Sequence, residues 1–201
     1  MAESFFSSMS QNERRPFIVL DRDGTIIEER DYLSDPDRVK LLPGVVEALR
    51  DLRQMGFGLV VITNQSGVGR GLFDERQLGR VHERLGQELE AAGVHLDGLY
   101  FCPHNPDDDC FCRKPKVGLI HKAAEELGFS LEKCIVVGDK ASDIQMGRRI
   151  GAVTFLVRTG YGSEVAAEAK VAADYVVDDL LAAAVIIRRL LRKKSVAHSR
   201  Y

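Results

Sequence analysis

The feature that most constrains the fold is a set of three short apolar runs, each of which ends abruptly in polar residues. These runs are residues 17–20, 59–62 and 135–137. Consecutive β-forming apolar residues, bounded by polar ones, are typical of strands that are buried on both faces of a parallel sheet. The chain is therefore predicted to present polar side chains at the carboxyl ends of three buried strands.

Segments with helical spacing of apolar residues separate these runs. Helices are predicted for residues 43–56, for residues 74–92 with Asp74 as N-cap, for residues 116–127, for a segment that ends at residue 150 and for a last segment from about residue 179. Further strands are predicted at residues 99–101, 153–157 and 175–177. Strands that alternate with helices predict the α/β class. We expect a doubly wound, mostly parallel sheet with helices on both faces and a site at the carboxyl ends of the strands.

Length and composition fit one ordinary domain. The chain has 201 residues, of which 45% are hydrophobic and 29% charged, and these values exclude a collagen, a coiled coil and a wholly disordered chain. We expect residues 17–192 to form the domain, residues 1–16 to be a disordered lead-in and residues 193–201 to be a basic tail. Only a minimal cap is expected, because the interval between the first two runs holds one helix and a loop.

Charge and hydropathy exclude two classes of partner. The 28 Lys and Arg residues nearly balance 30 Asp and Glu residues, so there is no general electrostatic attraction to nucleic acid or to an anionic membrane. The longest apolar run, residues 180–187, is far shorter than the ~18 residues of a spanning helix, and the start lacks the features of a secretory signal. We expect a cytoplasmic monomer whose partner is a small molecule.

Two carboxylates stand where the first strand ends, in the segment Asp21-Arg22-Asp23-Gly24-Thr25. Carboxylates have little structural reason to follow a buried strand unless they are paired or bind a metal, although a hydrophilic turn is the alternative. One carboxylate could attack phosphorus as a nucleophile. The second could protonate the leaving oxygen and later activate water.

Two anions that meet a phosphate need a cation. Asp139 follows the third run and could join Asp21 in holding magnesium, a hard cation that prefers carboxylates, waters and phosphate oxygens. Asp143, four residues later, is either another ligand or the cap of the next helix.

The transferred phosphoryl group also needs hydrogen-bond donors. The candidates are the hydroxyl of Thr63, the groups of Asn64 and the ammonium of Lys114. The structural alternatives are a helix cap for Thr63 and a surface lysine for Lys114. We favour the functional reading, because the predicted topology gathers these loops at one edge of the sheet.

Three cysteines and one histidine lie close together in the segments Cys102-Pro103-His104 and Cys110-Phe111-Cys112. Three thiolates and one imidazole suit tetrahedral zinc, whereas a disulfide is the alternative and is disfavoured in a reducing compartment. With all four ligands supplied by protein, the zinc would be structural and would position Arg113 and Lys114. Cys134 is predicted to be a core residue.

Four segments, in this order, resemble the motifs of haloacid-dehalogenase-superfamily phosphatases: Asp21-Arg22-Asp23-Gly24-Thr25, Thr63-Asn64-Gln65, Arg113-Lys114-Pro115 and Gly138-Asp139-Lys140. The resemblance implies that Asp21 forms an aspartyl-phosphate. It implies that Asp23 is the general acid and base and gives magnesium its backbone carbonyl. It also implies that Asp139 is a magnesium ligand, and that Thr63 and Lys114 stabilise the phosphoryl group.

The cysteine loop narrows the resemblance to the subfamily that contains heptose bisphosphate and histidinol-phosphate phosphatases. Residues 63–71, Tyr32-Leu33 and residues 42–45 are similar to the heptose branch. This resemblance implies a magnesium-dependent phosphatase that removes the C7 phosphate of heptose 1,7-bisphosphate, on the route to nucleotide-activated heptose for lipopolysaccharide. Histidinol phosphate is the alternative substrate.

The resemblance also implies which residues contact the substrate. They are Glu29, Arg30, Asp31, Tyr32, Thr63, Asn64, Gln65, Ser66, Arg113, Lys114 and Lys140. A non-catalytic binding module held together by zinc is the alternative from another class. Intact carboxylates at Asp21, Asp23 and Asp139 speak against it.

Overall fold

A six-stranded parallel sheet forms the centre of the molecule. The computed structural model describes residues 15–168 and 171–198. The strands are β1 (Phe17–Leu20), β2 (Gly58–Asn64), β3 (Gly98–Cys102), β4 (Cys134–Gly138), β5 (Val153–Val157) and β6 (Tyr175–Val177). They lie in the order β3-β2-β1-β4-β5-β6, and every neighbouring pair is parallel. The expected doubly wound parallel sheet is confirmed.

Helices connect the strands and cover both faces of the sheet. They are α1 (Val45–Gln54), α2 (Ser66–Gly69), α3 (Glu75–Ala91), α4 (Gly118–Leu127), α5 (Ala141–Arg149), α6 (Gly162–Glu168) and α7 (Leu180–His198), with 3-10 turns at Pro36–Arg38 and Leu131–Lys133. Sequence analysis did not predict α2 or α6, because both are too short to show an apolar period. The helix predicted from residue 116 begins two residues later, at Gly118, since Lys116 is still in a turn closed onto Arg113.

Alternate residues of β1 point into two separate cores. Ile18 and Leu20 belong to the cluster that α1, α3 and α7 cover, whereas Phe17 and Val19 belong to the cluster that α4 and α5 cover. A strand buried on both faces needs apolar residues at every position. This explains why β1 reads as an uninterrupted apolar run.

Register aligns the carboxyl ends of β1 and β4, whereas β2 continues beyond the predicted run, so that Thr63 and Asn64 still belong to the strand. Leu20 of β1 pairs with Val61 of β2 on one side and with Val137 of β4 on the other. The backbone N–H of Asp21 then donates to the carbonyl of Val137 at 3.0 Å. The polar residues at the ends of these strands therefore lie together at the carboxyl edge of the sheet.

The ends of the chain lie only partly within the described residues. Of the predicted lead-in, Arg15 donates to the carbonyl of Phe57 at 2.5 Å and the carbonyl of Pro16 accepts from Gly58 at 2.8 Å, while residues 1–14 lie outside the description. Helix α7 extends to His198, so the predicted tail is helical up to that residue. No helix within the described ranges is both long and apolar enough to cross a membrane.

Two helical glycines allow a test of packing against helix propensity. A Cβ on Gly147 in α5 would lie 2.6 Å from Cγ2 of Thr154, whereas a Cβ on the exposed Gly79 in α3 would meet nothing within 4 Å. We expect Gly147→Ala to lower the free energy of unfolding by about 1–3 kcal/mol through overpacking. Gly79→Ala should raise it by about 0.5–1 kcal/mol, because alanine has the higher helix propensity.

Urea unfolding of both variants measures the two changes under the same conditions. Shifts of the same sign would show that helix propensity, and not the contact of α5 with the sheet, decides stability at position 147.

Candidate active site

A buried ion-pair cluster lies at the carboxyl edge of the sheet and centres on Lys114. Its ammonium donates to Oδ1 of Asp21 at 2.8 Å and to the carbonyl of Ile62 at 2.6 Å, and it lies 2.7 Å from Oδ1 of Asp143. Lys114 is only 4% exposed, so the surface lysine considered as an alternative is wrong. The cluster joins β1, β2, α5 and the loop after the cysteine segment.

Charge in this cluster fixes the protonation of its members. Burial raises the pKa of Asp21, but the attraction of Lys114 and Lys140 outweighs burial and lowers it. Burial lowers the pKa of Lys114, but Asp143 and Asp21 outweigh that effect and raise it. Asp21 is therefore a carboxylate at neutral pH, which is the nucleophilic form of this group.

Three carboxylates of this edge converge on one point. Single oxygens of Asp21, Asp139 and Asp143 lie within 4.8 Å of one another. One oxygen of Asp139, Oδ1, is buried and has no hydrogen-bond partner among the residues that the structure describes. Burial and the nearby charge of Asp21 raise the pKa of Asp139 to about 8. Buried carboxylates that repel one another, one of them with an unpartnered oxygen, fit a hard divalent cation such as magnesium.

The structure gives Asp143 the cap role left open by its sequence position, and its role as a metal ligand stays a prediction. Its Oδ2 accepts from the backbone N–H of Lys140 at 3.0 Å and so caps α5. Its other oxygen faces Lys114 and the carboxylate cluster. One residue thus fixes the start of α5 and completes the charge balance of the site.

The second acidic residue, Asp23, lies in a separate hydrogen-bond network. Arg22 donates to it through Nε at 3.1 Å and Nη2 at 3.0 Å. Gln65 donates through Nε2 to Oδ2 of Asp23 and to the hydroxyl of Thr63, each at 2.8 Å, and its Oε1 accepts from Arg22 at 3.0 Å. Arg22 was not singled out from the sequence, although a charged residue directly after a buried strand is itself a signal.

Asn64 holds the loop that carries Lys114. Its Oδ1 accepts from the backbone N–H of Lys114 at 3.0 Å, and its Nδ2 donates to the carbonyl of the same residue at 3.1 Å. The amide side chain thus bonds both the N–H and the carbonyl of one residue, as the backbone of a neighbouring β-strand does. Asn64 therefore positions the lysine in addition to lining the cleft.

An open cleft of about 310 Å³ lies over this edge. It is lined by Arg22, Asp23, Glu29, Arg30, Asp31, Tyr32, Leu33, Asn64, Gln65, Ser66, Gly67, Arg113, Lys114, Lys140, Ser142 and Tyr161. Every residue expected to contact the substrate lines it except Thr63, which is 1% exposed and lies in the network of Gln65. Tyr161 was missed because the strand-end rule was not applied to β5, which it follows.

Cationic side chains surround the cleft and are held in place by neighbours. Lys140 pairs with Glu29 at 2.6 Å, and its ammonium lies 5.2 Å from the ring centroid of Tyr161. Arg30 pairs with Glu28 at 2.8 Å, and Arg113 donates to the carbonyl of His104 at 3.3 Å. Such a cleft suits a ligand with more than one anionic group.

The cysteine segment forms a compact cluster beside the cleft. Sγ of Cys102 lies 3.7 Å from Sγ of Cys110 and 3.2 Å from Sγ of Cys112, and Nδ1 of His104 lies 3.1 Å from Sγ of Cys112. All are free thiols, so the alternative of a disulfide is not realised. Burial raises the pKa of Cys102 to about 12. Three sulfurs and a ring nitrogen at this spacing fit a tetrahedral soft or borderline metal.

Comparison with known proteins agrees with this geometry. A family model described as HAD-hydrolase-like matches residues 111–183. The D-glycero-beta-D-manno-heptose-1,7-bisphosphate 7-phosphatase of Yersinia pestis is 42% identical over 174 residues, which cover 82% of this chain and 91% of the relative. The enzyme of the same name from Haemophilus influenzae is 42% identical over 182 residues, which cover 86% and 97%.

Solved structures give the same result. The chain superposes with a TM-score of 0.81 on D,D-heptose 1,7-bisphosphate phosphatase from B. bronchiseptica, which was solved in complex with magnesium and phosphate. The two are 35% identical, and the alignment covers 87% of this chain and 98% of that enzyme. The corresponding enzyme from Burkholderia thailandensis has a TM-score of 0.68 at 34% identity, with 87% and 99% covered. The chain therefore belongs to the haloacid-dehalogenase superfamily, as a phosphoric monoester hydrolase of the family of the heptose bisphosphate phosphatases.

Proposed function

We propose that this chain removes the C7 phosphate of D-glycero-β-D-manno-heptose 1,7-bisphosphate and releases heptose 1-phosphate. The observation that carries the proposal is the buried Asp21–Lys114 pair, whose lysine lines a cleft together with further cations, in a chain 42% identical to the 7-phosphatases of two species. The enzyme would be a cytoplasmic monomer, and its product would serve the synthesis of nucleotide-activated heptose.

The arrangement of charge supports a bisphosphate as the substrate. One phosphate would bind over Asp21, where Lys114 offers its charge. A second phosphate needs cations at a distance from that point, and Arg30 and Arg113 line the same cleft on other loops. Histidinol phosphate carries one phosphate and a basic side chain, so it offers no second phosphate to Arg113, whose side chain donates to the carbonyl of His104.

The first chemical step would be transfer of the phosphoryl group to Asp21. A carboxylate oxygen of Asp21 forms a bond to phosphorus, and the bond between phosphorus and the C7 oxygen breaks. Asp23 gives its proton to that oxygen, so that the sugar leaves as an alcohol. Lys114 offsets the charge on the phosphoryl oxygens.

The second step would be hydrolysis of the aspartyl-phosphate. Asp23, now a carboxylate, takes a proton from a water molecule. The water oxygen bonds to phosphorus, the bond to Asp21 breaks, and inorganic phosphate leaves. Asp23 is protonated again, so the cycle closes without any other reactant.

Magnesium would be held by Asp21, Asp139 and the backbone carbonyl of Asp23. When bound, it supplies positive charge to the phosphoryl oxygens and orients them. The carboxylates of Asp21 and Asp139 suit this ion, because they are buried, close together and mutually repulsive.

Zinc would be the structural ion of the cysteine cluster. Its ligands would be Cys102, His104, Cys110 and Cys112. The cluster ends one residue before Arg113, whose side chain donates to the backbone of His104. The ion would therefore fix the loop that brings Arg113 and Lys114 to the cleft.

A comparison of substrates tests the proposed function. We expect kcat/KM for the β anomer of heptose 1,7-bisphosphate to exceed that for histidinol phosphate and for 4-nitrophenyl phosphate by about a hundredfold, which corresponds to ~2.7 kcal/mol of transition-state binding. Phosphate release in the presence of magnesium measures all three. Asp21→Asn is the control for contaminating phosphatases and should show no turnover.

Two outcomes would contradict the proposal. A higher kcat/KM for histidinol phosphate would assign the cleft to the other branch of the subfamily. Turnover that persists in Asp21→Asn would exclude the covalent mechanism.

Magnesium binding is expected to appear in the pH dependence of stability. The pKa of Asp139 is raised from 3.8 to about 8 by burial and by Asp21, so the folded state is penalised increasingly as pH rises from about 4 to about 8. Without magnesium, Asp139→Asn should therefore have a higher Tm than the wild type at pH 8, with a smaller difference at pH 5. Magnesium should raise the Tm of the wild type and change that of the variant little.

Thermal unfolding with and without magnesium, at both pH values, measures these shifts. An equal gain of Tm in the wild type and in Asp139→Asn would show that Asp139 does not hold the ion.

Zinc content tests the structural ion. We expect about one equivalent of zinc per chain by elemental analysis, and loss of that zinc together with a lower Tm in Cys110→Ser, because a structural zinc site contributes directly to folding. Cys134→Ser is the matched control: it also replaces a cysteine by serine, but outside the cluster, so the zinc should remain. Freshly purified protein without metal would refute the assignment.

A further inference from the structure

Arg22 is an unusual residue at the base of the cleft, because its charged side chain is fully buried. A buried guanidinium is costly unless a carboxylate and further hydrogen bonds compensate it. Among the described residues its carboxylate partner is Asp23. Within the described part of the chain its Nη1 atom has no hydrogen-bond partner, and its side chain donates to Asp23 and Gln65.

Gln65 completes this arrangement. Its Nε2 bonds Asp23 and Thr63, and its Oε1 accepts from Arg22. Both ends of the amide are thus engaged within the protein, and the residue is 5% exposed. A side chain that is buried and already engaged at both ends is poorly placed to recognise a sugar hydroxyl, although the sequence resemblance assigned it to the substrate.

The two residues together hold both oxygens of Asp23. Oδ1 accepts from Arg22 at 3.0 Å, and Oδ2 accepts from Arg22 at 3.1 Å and from Gln65 at 2.8 Å. Three donors around one carboxylate define both its position and the plane of the group. Proton transfer needs such definition, because its rate falls steeply when the donor leaves hydrogen-bond reach of the acceptor.

We infer that Arg22 and Gln65 are positioning residues, which hold the carboxyl group of Asp23 at the base of the cleft for proton transfer to the leaving oxygen. Gln65 then acts on Asp23 and is not a ligand of the substrate. This inference rests on the acid role proposed for Asp23, but it does not depend on the identity of the sugar.

The dependence of the rate on the leaving group separates this role from a general structural one. An alkyl alcohol is a poor leaving group and needs the proton of Asp23, whereas 4-nitrophenolate leaves without one. The parameter kcat/KM reports the steps up to the first irreversible one, here transfer to Asp21. A misplaced Asp23 should therefore lower kcat/KM for an alkyl phosphate and leave that for 4-nitrophenyl phosphate nearly unchanged.

The experiment uses Gln65→Met, which keeps the approximate volume and removes all three hydrogen bonds, and Arg22→Lys, which keeps the charge and removes the two-point contact. For each we expect kcat/KM to fall about tenfold or more with glycerol 3-phosphate as the alkyl substrate, within the range of acid catalysis, and less than about twofold with 4-nitrophenyl phosphate. Both substrates are assayed on one preparation, so a loss of folded enzyme cancels in the ratio. Gln87→Met, at an exposed position of α3, is the matched control and should leave the ratio unchanged.

Asp23→Asn tells the two possible failures apart. If this variant shows no selective loss with the alkyl phosphate, the acid role of Asp23 is wrong. If it does show that loss and the ratio in Gln65→Met and Arg22→Lys equals that of the wild type, the positioning role is overturned. An equal fall with both substrates would also overturn it, since that result assigns Gln65 to phosphate binding or to folding.

Discussion

The buried ammonium of Lys114 is the contact on which the rest of the site depends. It lies between the carboxylates of Asp21 and Asp143, and without it two anions would face each other in a region almost without water. Removing one partner of such a buried pair costs several kcal/mol, because the remaining charges lose their compensation. The pair also joins residues that are 93 positions apart in the chain. The Asp21–Lys114 pair therefore forms only when the folded sheet brings these two distant residues together.

Two separate networks of polar contacts hold the two acidic residues at this edge of the sheet. The cluster of Lys114 keeps Asp21 ionised, and the contacts of Arg22 and Gln65 hold Asp23, the next acidic residue in the chain. Asp21 and Asp23 serve different networks because the chain stops being extended after β1 and turns, with the backbone N–H of Ile26 donating to the carbonyl of Arg22 at 2.9 Å. This separation matches the chemistry proposed for the two residues, since a nucleophile and an acid need different surroundings.

The sheet and most of the site residues could be predicted because they follow from local rules. Uninterrupted apolar runs predicted buried parallel strands, and polar residues after those strands predicted the location of the site. The rules failed where the signal is short or indirect. Helices α2 and α6 are too short to show an apolar period, and Arg22 was not singled out between the two acidic residues. Tyr161 follows β5, whose end carries no carboxylate to draw attention to it.

The sequence by itself determined the class of fold, the parallel order of strand and helix, and the set of acidic, basic and thiol groups available for chemistry. Patterns of two, three or four residues are enough for this, because burial and backbone geometry act locally. Only the tertiary structure decided which of these groups are in contact with one another. That Gln65 bonds Asp23, that Asn64 holds the backbone of Lys114 and that Asp143 faces this lysine are contacts between segments far apart in the chain. Register and packing set those distances, and no local pattern records them.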